Sequence, residues 1–557
     1  METKKISSGF SVSPQINPAD VKEIAKLGFR AIVCNRPDGE GADQPTFEEI
    51  SSAAKEAGLE VRYQPIVSGK VSDDDAKDFG CLFDELPKPV FAYCRTGTRS
   101  TTLWSLSQAG LLGTSEILRA TKAAGYDMGG VIRRIVNGGR TPTDQGDAKF
   151  DIVIIGGGAA GISVASSLLA RRSGLEIAVI DPADIHYYQP GWTMVGGGVF
   201  DASSTAQTMG SLIPKGVHWI KAAVAAFEPM DDAVILDGCR VVKYGRLIVC
   251  PGLKLDWNRI DGLVETLGRN GVTSNYRYDL APYTWDLVSS MREGKAIFTQ
   301  PPMPIKCAGA PQKAMYLSGD HWSRNGVIDK IDIDFCNAGG VLFGVKDYVP
   351  ALERYVKKYD AKLNFFHNLV AIDGAAKKAW FEVTKPDEKV ERIEKSFDMI
   401  HVCPPQMAPD FIRVSPLADA AGWVDVDQAT LRHKSFTNVW SLGDVMNAPN
   451  AKTAAAARKQ APVVAENVAA DIDGKSPVAQ YDGYGSCPLT VERGRIVLAE
   501  FGYGGTLQPS FPKWLIDGTQ PSRLAWLLKE KVLPPVYWKA MLRGKEWLAK
   551  PEKVTSS

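Results

Sequence analysis

Phe150-Asp151-Ile152-Val153-Ile154-Ile155-Gly156-Gly157-Gly158-Ala159-Ala160-Gly161 is the stretch on which the fold turns. A continuous, largely β-branched strand runs straight into G-x-G-x-x-G, and residues 162–172 then keep helical spacing. A second strand, 176–180, ends at Asp181, 20 residues after Gly161. Strand, glycines, helix, strand and acid in register predict a βαβ unit that binds a dinucleotide. Gly156, Gly158, Ala159 and Gly161 are the expected cofactor-binding positions, with Asp181 where a ribose hydroxyl is recognised. A polar linker, 138–147, precedes the unit.

Two later segments narrow the cofactor to FAD. Tyr244-Gly245-Arg246-Leu247-Ile248-Val249-Cys250-Pro251-Gly252 resembles the strand-and-glycine element that closes the first half of flavin disulfide reductase-like folds. Thr437-Asn438-Val439-Trp440-Ser441-Leu442-Gly443-Asp444 resembles their second flavin motif. That likeness implies that Gly443 and Asp444 meet the ribityl–phosphate region, and Lys452 joins the expected flavin set.

Residues 295–300 form a strand where a second dinucleotide half would open. No G-x-G-x-x-G follows. The exit is Pro301, Pro302 and then Pro304-Ile305-Lys306-Cys307-Ala308-Gly309-Ala310-Pro311-Gln312-Lys313. Proline stiffens the loop and removes N–H donors that a pyrophosphate needs. No tight NAD(P) site is expected, and a thiol stands in its place. Electrons must then leave by another route.

Further matches extend the pattern: His186-Tyr187-Tyr188-Gln189-Pro190, Phe343-Gly344-Val345-Lys346, Lys452-Thr453-Ala454-Ala455-Ala456 and Tyr481-Asp482-Gly483-Tyr484-Gly485-Ser486-Cys487-Pro488. From about residue 150 to the end the set resembles sulfide:quinone oxidoreductases, especially the type that includes the mitochondrial enzymes. The resemblance implies FAD, sulfide as substrate, quinone as electron acceptor, and a cysteine pair beside the flavin. Cys307 matches the first cysteine. The second would directly follow the Gly-Asp pair, where this chain has Val445. Three explanations stay open. Another cysteine has moved in, with Cys403 best placed by motif and Cys336 and Cys487 behind it; or Cys307 works alone on a low-molecular-weight persulfide; or the module does other flavin chemistry. Cys403 also reads as an ordinary buried strand cysteine.

The first 140 residues alternate strand and helix: a helix at 18–27, strands at 28–34 and 59–65, and a helix at 46–58 opened by Thr46 and Glu49 as a capping box. Val90-Phe91-Ala92-Tyr93-Cys94-Arg95-Thr96-Gly97-Thr98-Arg99-Ser100 carries the chemistry. A strand ends at Cys94 and a helix begins near Thr101, so the loop's N–H groups should stabilise an anion and a thiolate, with Arg99 adding a bidentate charge. Its C-x4-R spacing resembles the loop of bacterial rhodaneses and is one residue shorter than the C-x5-R of tyrosine-class phosphatases. The surrounding sequence looks like the phosphatase-like family often fused to sulfur enzymes. Sulfur transfer through Cys94 is the favoured reading; phosphate hydrolysis by Cys94 and Arg99, with a regulatory or divergent flavin module, is the alternative.

Composition bounds these readings. At 557 residues the chain is expected to hold more than one domain. A net charge of +1 gives no reason to expect nucleic acid. Nine dispersed cysteines without C-x-x-C suggest neither a disulfide framework nor a zinc site. The start is polar, the default compartment is the cytoplasm, and no apolar run is long enough to span a membrane. Trp514, Trp526, Trp538 and Trp547 lie with Lys, Arg and Leu in short amphipathic segments of the tail. Such composition suits the membrane interface; packing against the body or a dimer partner is the other reading.

The expected architecture is therefore α/β. A small phosphatase-like domain (1–139) and a linker (140–149) precede a tandem Rossmann-like FAD flavoprotein (150–510), and amphipathic helices (511–557) close the chain. Cys307, Cys94, Arg99 and Cys403 are the candidate catalytic residues. Sulfide, a thiol or persulfide acceptor and quinone are the expected partners, on the inner face of the cell membrane, with a homodimer compatible.

Overall fold

Strand and helix alternate from the first residues of a computed structural model that describes residues 1–42, 44–142 and 148–554. Residues 143–147 of the expected linker lie outside the described residues. Two units form. One comprises Met1–Lys149, Ala222–Lys243 and Asp410–Pro416; the other comprises Phe150–Lys221, Tyr244–Pro409 and Leu417–Ser557.

The first unit is built on a five-stranded sheet in the order Lys4–Ser7, Phe10–Ser13, Val90–Tyr93, Ala31–Cys34, Glu60–Tyr63. The first pair is antiparallel and the rest are parallel. Val90–Tyr93 and Ala31–Cys34 are buried throughout, as apolar runs covered on both faces must be. Phe10, Phe79, Phe83 and Trp104 belong to one apolar cluster and Ile24, Ile32, Ile50 and Phe91 to another. The predicted capping box is present at helix Phe47–Glu56: the Glu49 N–H donates to Thr46 Oγ1 at 3.3 Å, and the Thr46 N–H donates to Glu49 Oε2 at 2.7 Å. Strand Ala31–Cys34 starts later than the expected residue 28, because Gly28 (φ 89°) takes the left-handed turn that ends helix Val21–Lys26.

This unit also takes in segments that a linear reading gives to the flavoprotein. Strands Val224–Glu228 and Ala233–Leu236 pair antiparallel, and Ala226 and Ile235 cluster with Ile132 of helix Ile132–Val136. Arg133 Nε donates to Glu228 at 2.8 Å beside them.

In the second unit the predicted strand forms as Ala148–Ile155 and the helix as Ala159–Arg171. Val217–Ile220, Ile177–Ile180, Ala148–Ile155 and Val241–Val249 are neighbours in that order, and Val439–Ser441 pairs parallel with Val241–Val249. A second parallel sheet orders Val272–Thr273, Met399–His401, Gly294–Gln300, Ile331–Asn337 and Lys362–Phe365. Helix Ala310–Arg324 follows the proline loop. The antiparallel pair Gly485–Glu492 and Arg495–Phe501 packs on that helix: Cys487, Leu489 and Val491 share a cluster with Ala314, Met315 and Tyr316.

The tail belongs to this second unit. Helix Arg523–Leu527 runs through a π-helical turn, Leu528–Val532, into helix Leu533–Lys539. Ala525 and Trp526 cluster with Met194, Ile496 and Leu498. Trp514 (83 % exposed), Leu524, Leu527 and Trp547 face outward. One side of the tail is thus packed, and the other presents apolar side chains. Among the described residues no helix is long and apolar enough to cross a membrane.

Candidate active site

Gly156 and Gly161 are required by space. Gly156 has φ 103°, and a Cβ there would lie 2.5 Å from the Cys250 carbonyl oxygen. A Cβ on Gly161 would lie 1.8 Å from the Gly156 oxygen. Asp181 accepts from the Gly157 N–H at 2.6 Å (Oδ2) and the Ala183 N–H at 2.8 Å (Oδ1), so its carboxylate shapes the loop it was expected to accompany.

Gly158, Ala159 and Asp181 open onto a cavity of about 760 Å³ that Gly443, Asp444 and Cys307 also line. Two helix N-termini meet there, those of Ala159–Arg171 and Ala454–Ile472, the latter capped by Thr453 Oγ1 accepting from the Ala456 N–H at 3.2 Å. Both bring positive dipole ends to it. Thr193 Oγ1, Trp192 Nε1 and both amide atoms of Asn275 are buried, have no hydrogen-bond partner among the described residues, and belong to residues lining the cavity. Glycine-walled access, two helix ends and spare polar atoms fit a flavin dinucleotide.

Lys452 acts through this frame. Its Nζ donates to the Asp444 carbonyl at 2.6 Å and the Met446 carbonyl at 2.9 Å, and lies 4.2 Å over the Trp423 ring. Burial lowers its pKa to about 8 and raises that of Asp444. Lys452 thus braces the Gly443–Val445 turn, and its carbonyl accepts the Cys307 N–H at 2.9 Å.

Cys307 sits in a left-handed turn (φ 51°) just before helix Ala310–Arg324. Lys313 Nζ, on the first turn of that helix, donates to Cys307 Sγ at 3.1 Å. Cys487 Sγ stands 3.6 Å from Cys307 Sγ. The hydrogen bond from Cys487 pulls the Cys307 thiol well below its ordinary pKa; Lys313 adds to this, against the effect of burial. Cys487 moves well above its ordinary value, through the same hydrogen bond and then burial. Of the two sulfurs, Cys307 is therefore the one that gives up its proton more readily. Burial alone would lower the pKa of Lys313, but the sulfur's charge raises it.

A third cation comes from the tail. Lys529, in the π-helical turn, is 4 % exposed, lines the cavity, and donates to the Pro190 carbonyl at 3.4 Å. Burial brings its pKa down to about 7. Nothing in the local sequence around Lys529 signals this placement.

Cys403 is placed otherwise than expected. It packs with Tyr276, Ile305 and Ala310, its Sγ accepts from Gln406 Nε2 at 3.6 Å, and burial pushes its pKa up to about 12. Cys336 is buried within a strand and is likewise pushed up to about 12. The sulfur in contact with Cys307 belongs to Cys487, which the motif reading ranked behind Cys403. Period-two burial of Cys487, Leu489 and Val491 is the signal that would have aimed it inward. Gly309 completes the fit, since a Cβ there would lie 2.6 Å from Cys487 Sγ and 2.3 Å from Leu489. Val445 is fully buried.

In the first unit, Cys94 follows strand Val90–Tyr93, and helix Thr98–Ser107 begins four residues on, earlier than expected. The Gly97 N–H donates to Cys94 Sγ at 3.1 Å, with Gly97 at φ 87°. Tyr126 closes over the loop: its hydroxyl donates to the Thr96 carbonyl at 3.2 Å, and a Cβ on Gly97 would lie 2.0 Å from it. Arg99 departs from its expected role. Its Nη1 donates to the Ile66 carbonyl at 2.6 Å and its Nη2 to Glu40 Oε2 at 2.7 Å. Glu40 also accepts from Arg36 Nε at 2.8 Å, and its pKa is lowered, chiefly by the Arg99 hydrogen bond. The guanidinium ties the helix to neighbouring loops because a carboxylate is already there to take it.

Known proteins share both parts of this chain. Residues 2–111 match the family model described as Beta-lactamase hydrolase-like protein, phosphatase-like domain, and residues 150–282 match Pyridine nucleotide-disulphide oxidoreductase. The Dictyostelium discoideum protein named Sulfide:quinone oxidoreductase, mitochondrial, is 42 % identical over 402 residues, covering 72 % of this chain and 87 % of its own. An Agrobacterium fabrum protein named Beta-lactamase hydrolase-like protein is 32 % identical over 130 residues, 23 % of this chain and 30 % of its own. The solved structure of the sulfide:quinone oxidoreductase from the hyperthermophilic bacterium Aquifex aeolicus superposes with a TM-score of 0.60 at 17 % identity, covering 73 % of this chain and 98 % of that one. At that identity the likeness is one of fold.

Proposed function

Since this chain belongs to the sulfide:quinone oxidoreductase family, we propose that its second unit binds FAD, oxidises sulfide to sulfane sulfur and passes the electrons to a quinone. The observation that carries this reading is the Lys313 ammonium 3.1 Å from Cys307 Sγ, on a residue that lines the cavity shared by both helix N-termini. Gly156, Gly158, Ala159 and Gly161 would hold the pyrophosphate side of FAD, Asp181 the ribose side, and Gly443 and Asp444 the ribityl side, with Lys452 bracing their turn. FAD held there would supply a two-electron acceptor between the sulfur site and a quinone. Cys307 would supply the thiolate, and Lys313 would hold its charge.

Anaerobic addition of sulfide together with a low-molecular-weight thiol acceptor to the full-length protein should bleach the flavin, and a soluble quinone should restore its absorbance. Flavin that sulfide cannot bleach, even with a thiol acceptor present, would refute the reading.

A lipid-dissolved quinone would reach the cavity beside Phe511, Leu528, Val532 and Val536, which line it. The outward Trp514, Leu524 and Leu527 would seat this mouth on the inner face of the cell membrane. Full-length protein should therefore co-sediment with vesicles more than a form ending at Ser510, and equal partition would remove the docking.

Cys94 would accept sulfane sulfur and pass it to a thiol. One N–H on Sγ, and an arginine committed to Glu40 and Ile66, suit a single sulfur better than the oxygens of a phosphate. The phosphatase-like family match over residues 2–111 is what favours the second reading, hydrolysis. Thiosulfate:cyanide sulfurtransfer by the full chain, lost on Cys94→Ser, decides for sulfur; phosphoester hydrolysis without sulfurtransfer decides against it.

A further inference from the structure

We propose that Cys487 is the second redox cysteine of this chain, forming with Cys307 the disulfide that sulfide attacks. The inference rests on the sulfide-oxidising reading above and names the group that replaces the family's cysteine at the position of Val445.

Three observations converge on Cys487. Its sulfur stands 3.6 Å from Cys307 Sγ, in direct contact. The contact is built on purpose-shaped backbone: Gly309 leaves the space through which the strand Gly485–Glu492 brings its sulfur in, and any side chain there would occupy it. Cys487 lies on a buried strand face whose neighbours Leu489 and Val491 are fixed in the same cluster as helix Ala310–Arg324, so its position is held by packing. The alternatives are placed differently. Cys403 belongs to a buried cluster against which Cys307 also packs, but its sulfur is held by Gln406 at 3.6 Å, and Cys336 lies inside the parallel sheet. Val445 offers no sulfur.

The geometry also assigns the two sulfurs different parts. Cys307 has the Lys313 ammonium 3.1 Å away, which stabilises its negative charge, so it is the better leaving thiolate. Sulfide attacks the Cys487 sulfur: HS⁻ adds to it, the Cys307–Cys487 S–S bond breaks, and Cys307 departs as thiolate. Cys487 is left as the persulfide, Cys487–S–SH, and charge and protons balance. A low-molecular-weight thiolate RS⁻ then takes the outer sulfur as RSSH, leaving Cys487 as thiolate. Re-forming the disulfide from the two thiolates releases two electrons, which go to the flavin and on to the quinone. The sum is HS⁻ + RS⁻ → RSSH + 2 e⁻. Lys313 carries the compensating charge at the stage when both sulfurs are ionised.

The test is a disulfide map of the full-length, FAD-loaded protein as isolated in its oxidised state, with free thiols alkylated in acid before digestion. A peptide carrying Cys307 linked to one carrying Cys487 is expected, lost on reduction. One equivalent of sulfide under anaerobic conditions should place the extra sulfur on the Cys487 peptide and free Cys307 for alkylation. Cys307 found linked to Cys403 or Cys336, or fully alkylated in the oxidised protein, overturns the proposal. Kinetics give a second, independent arm. Cys487→Ser should slow sulfide-driven bleaching by on the order of 100-fold with flavin still bound, while Cys403→Ser stays within about twofold; the reverse order overturns it. Failure of wild-type flavin to bleach would instead count against the proposed activity, and leaves the mapped linkage to be judged by itself.

Discussion

The chain uses one local design twice, and the two copies end differently. Cys94 and Cys307 each follow a strand of a parallel sheet, Val90–Tyr93 and Gly294–Gln300, and each precedes a helix, Thr98–Ser107 and Ala310–Arg324. A basic residue lies close ahead in both. In the second unit it reaches the sulfur, Lys313 Nζ to Cys307 Sγ at 3.1 Å. In the first, Arg99 is drawn off by Glu40 at 2.7 Å and the Ile66 carbonyl at 2.6 Å, and the sulfur keeps a backbone N–H. The second sulfur is the other difference: Cys487 stands against Cys307 because Gly309 lets it in. A strand–cysteine–helix motif therefore fixes where a thiol stands, while the commitment of nearby charge decides which groups reach its sulfur.

Removing the Cys307 sulfur should have the largest effect. Cys307→Ser is expected to cut sulfide-driven flavin bleaching by on the order of 10³-fold or more, measured by stopped-flow, without changing flavin content. Cys94→Ser should leave that rate unchanged, and an equal loss in both variants would erase the distinction between the loops.

Lys313→Met comes next. Cys307 is held below its ordinary pKa first by the Cys487 hydrogen bond and then by Lys313, so loss of the ammonium raises it. The thiolate, present above the folded pKa, would then appear only at higher pH. Bleaching at neutral pH should fall by roughly 10- to 100-fold and recover as pH rises. A uniformly depressed pH profile would mean that Lys313 acts by packing.

Gly309→Ala tests how the second sulfur is admitted. Its Cβ would lie 2.6 Å from Cys487 Sγ, so the strand must yield, at about 1–3 kcal/mol of stability. Less Cys307–Cys487 linkage in the disulfide map is expected, with Cys307 still alkylated by iodoacetamide in the reduced protein.

The smallest effect is expected from Glu40→Gln, which frees Arg99 and makes the first loop more like the second. Glu40 has a lowered folded pKa, so its contribution is present above the ordinary carboxylate range and is lost as pH falls through the folded value. The variant should lose roughly 0.5–1 kcal/mol near neutrality, since Glu40 is solvent-exposed, and show a shallower acid unfolding transition. Inhibition of sulfurtransfer by phosphate should rise as the guanidinium is released. Unchanged inhibition would mean that Arg99 stays tied through Ile66.

Features set by residues close in sequence were legible without the fold. The Gly156–Gly161 turn, the Asp181 strand end and the Thr46–Glu49 cap each depend on a few consecutive φ/ψ choices and short hydrogen bonds, and each forms where its pattern lies. The placement of Cys94 and Cys307, at strand exits ahead of helices, follows from the same short-range logic. Partners far apart were not legible. Cys487 lies 180 residues from Cys307, Glu40 lies 59 from Arg99, and Lys529 enters the cavity from a tail whose composition speaks of surfaces. The same holds for Ala222–Lys243, which joins the first unit because its apolar face closes on Ile132.

The amino-acid sequence by itself thus determined the glycine turn, the two strand–cysteine–helix loops and the family to which the chain belongs, because each is written in contiguous residues whose backbone geometry is locally decided. Only the tertiary structure decided which sulfur meets Cys307 and which charge each cysteine receives. Those choices depend on strand register and on the packing of side chains from distant segments, where a glycine's missing Cβ or an already placed carboxylate settles what can approach.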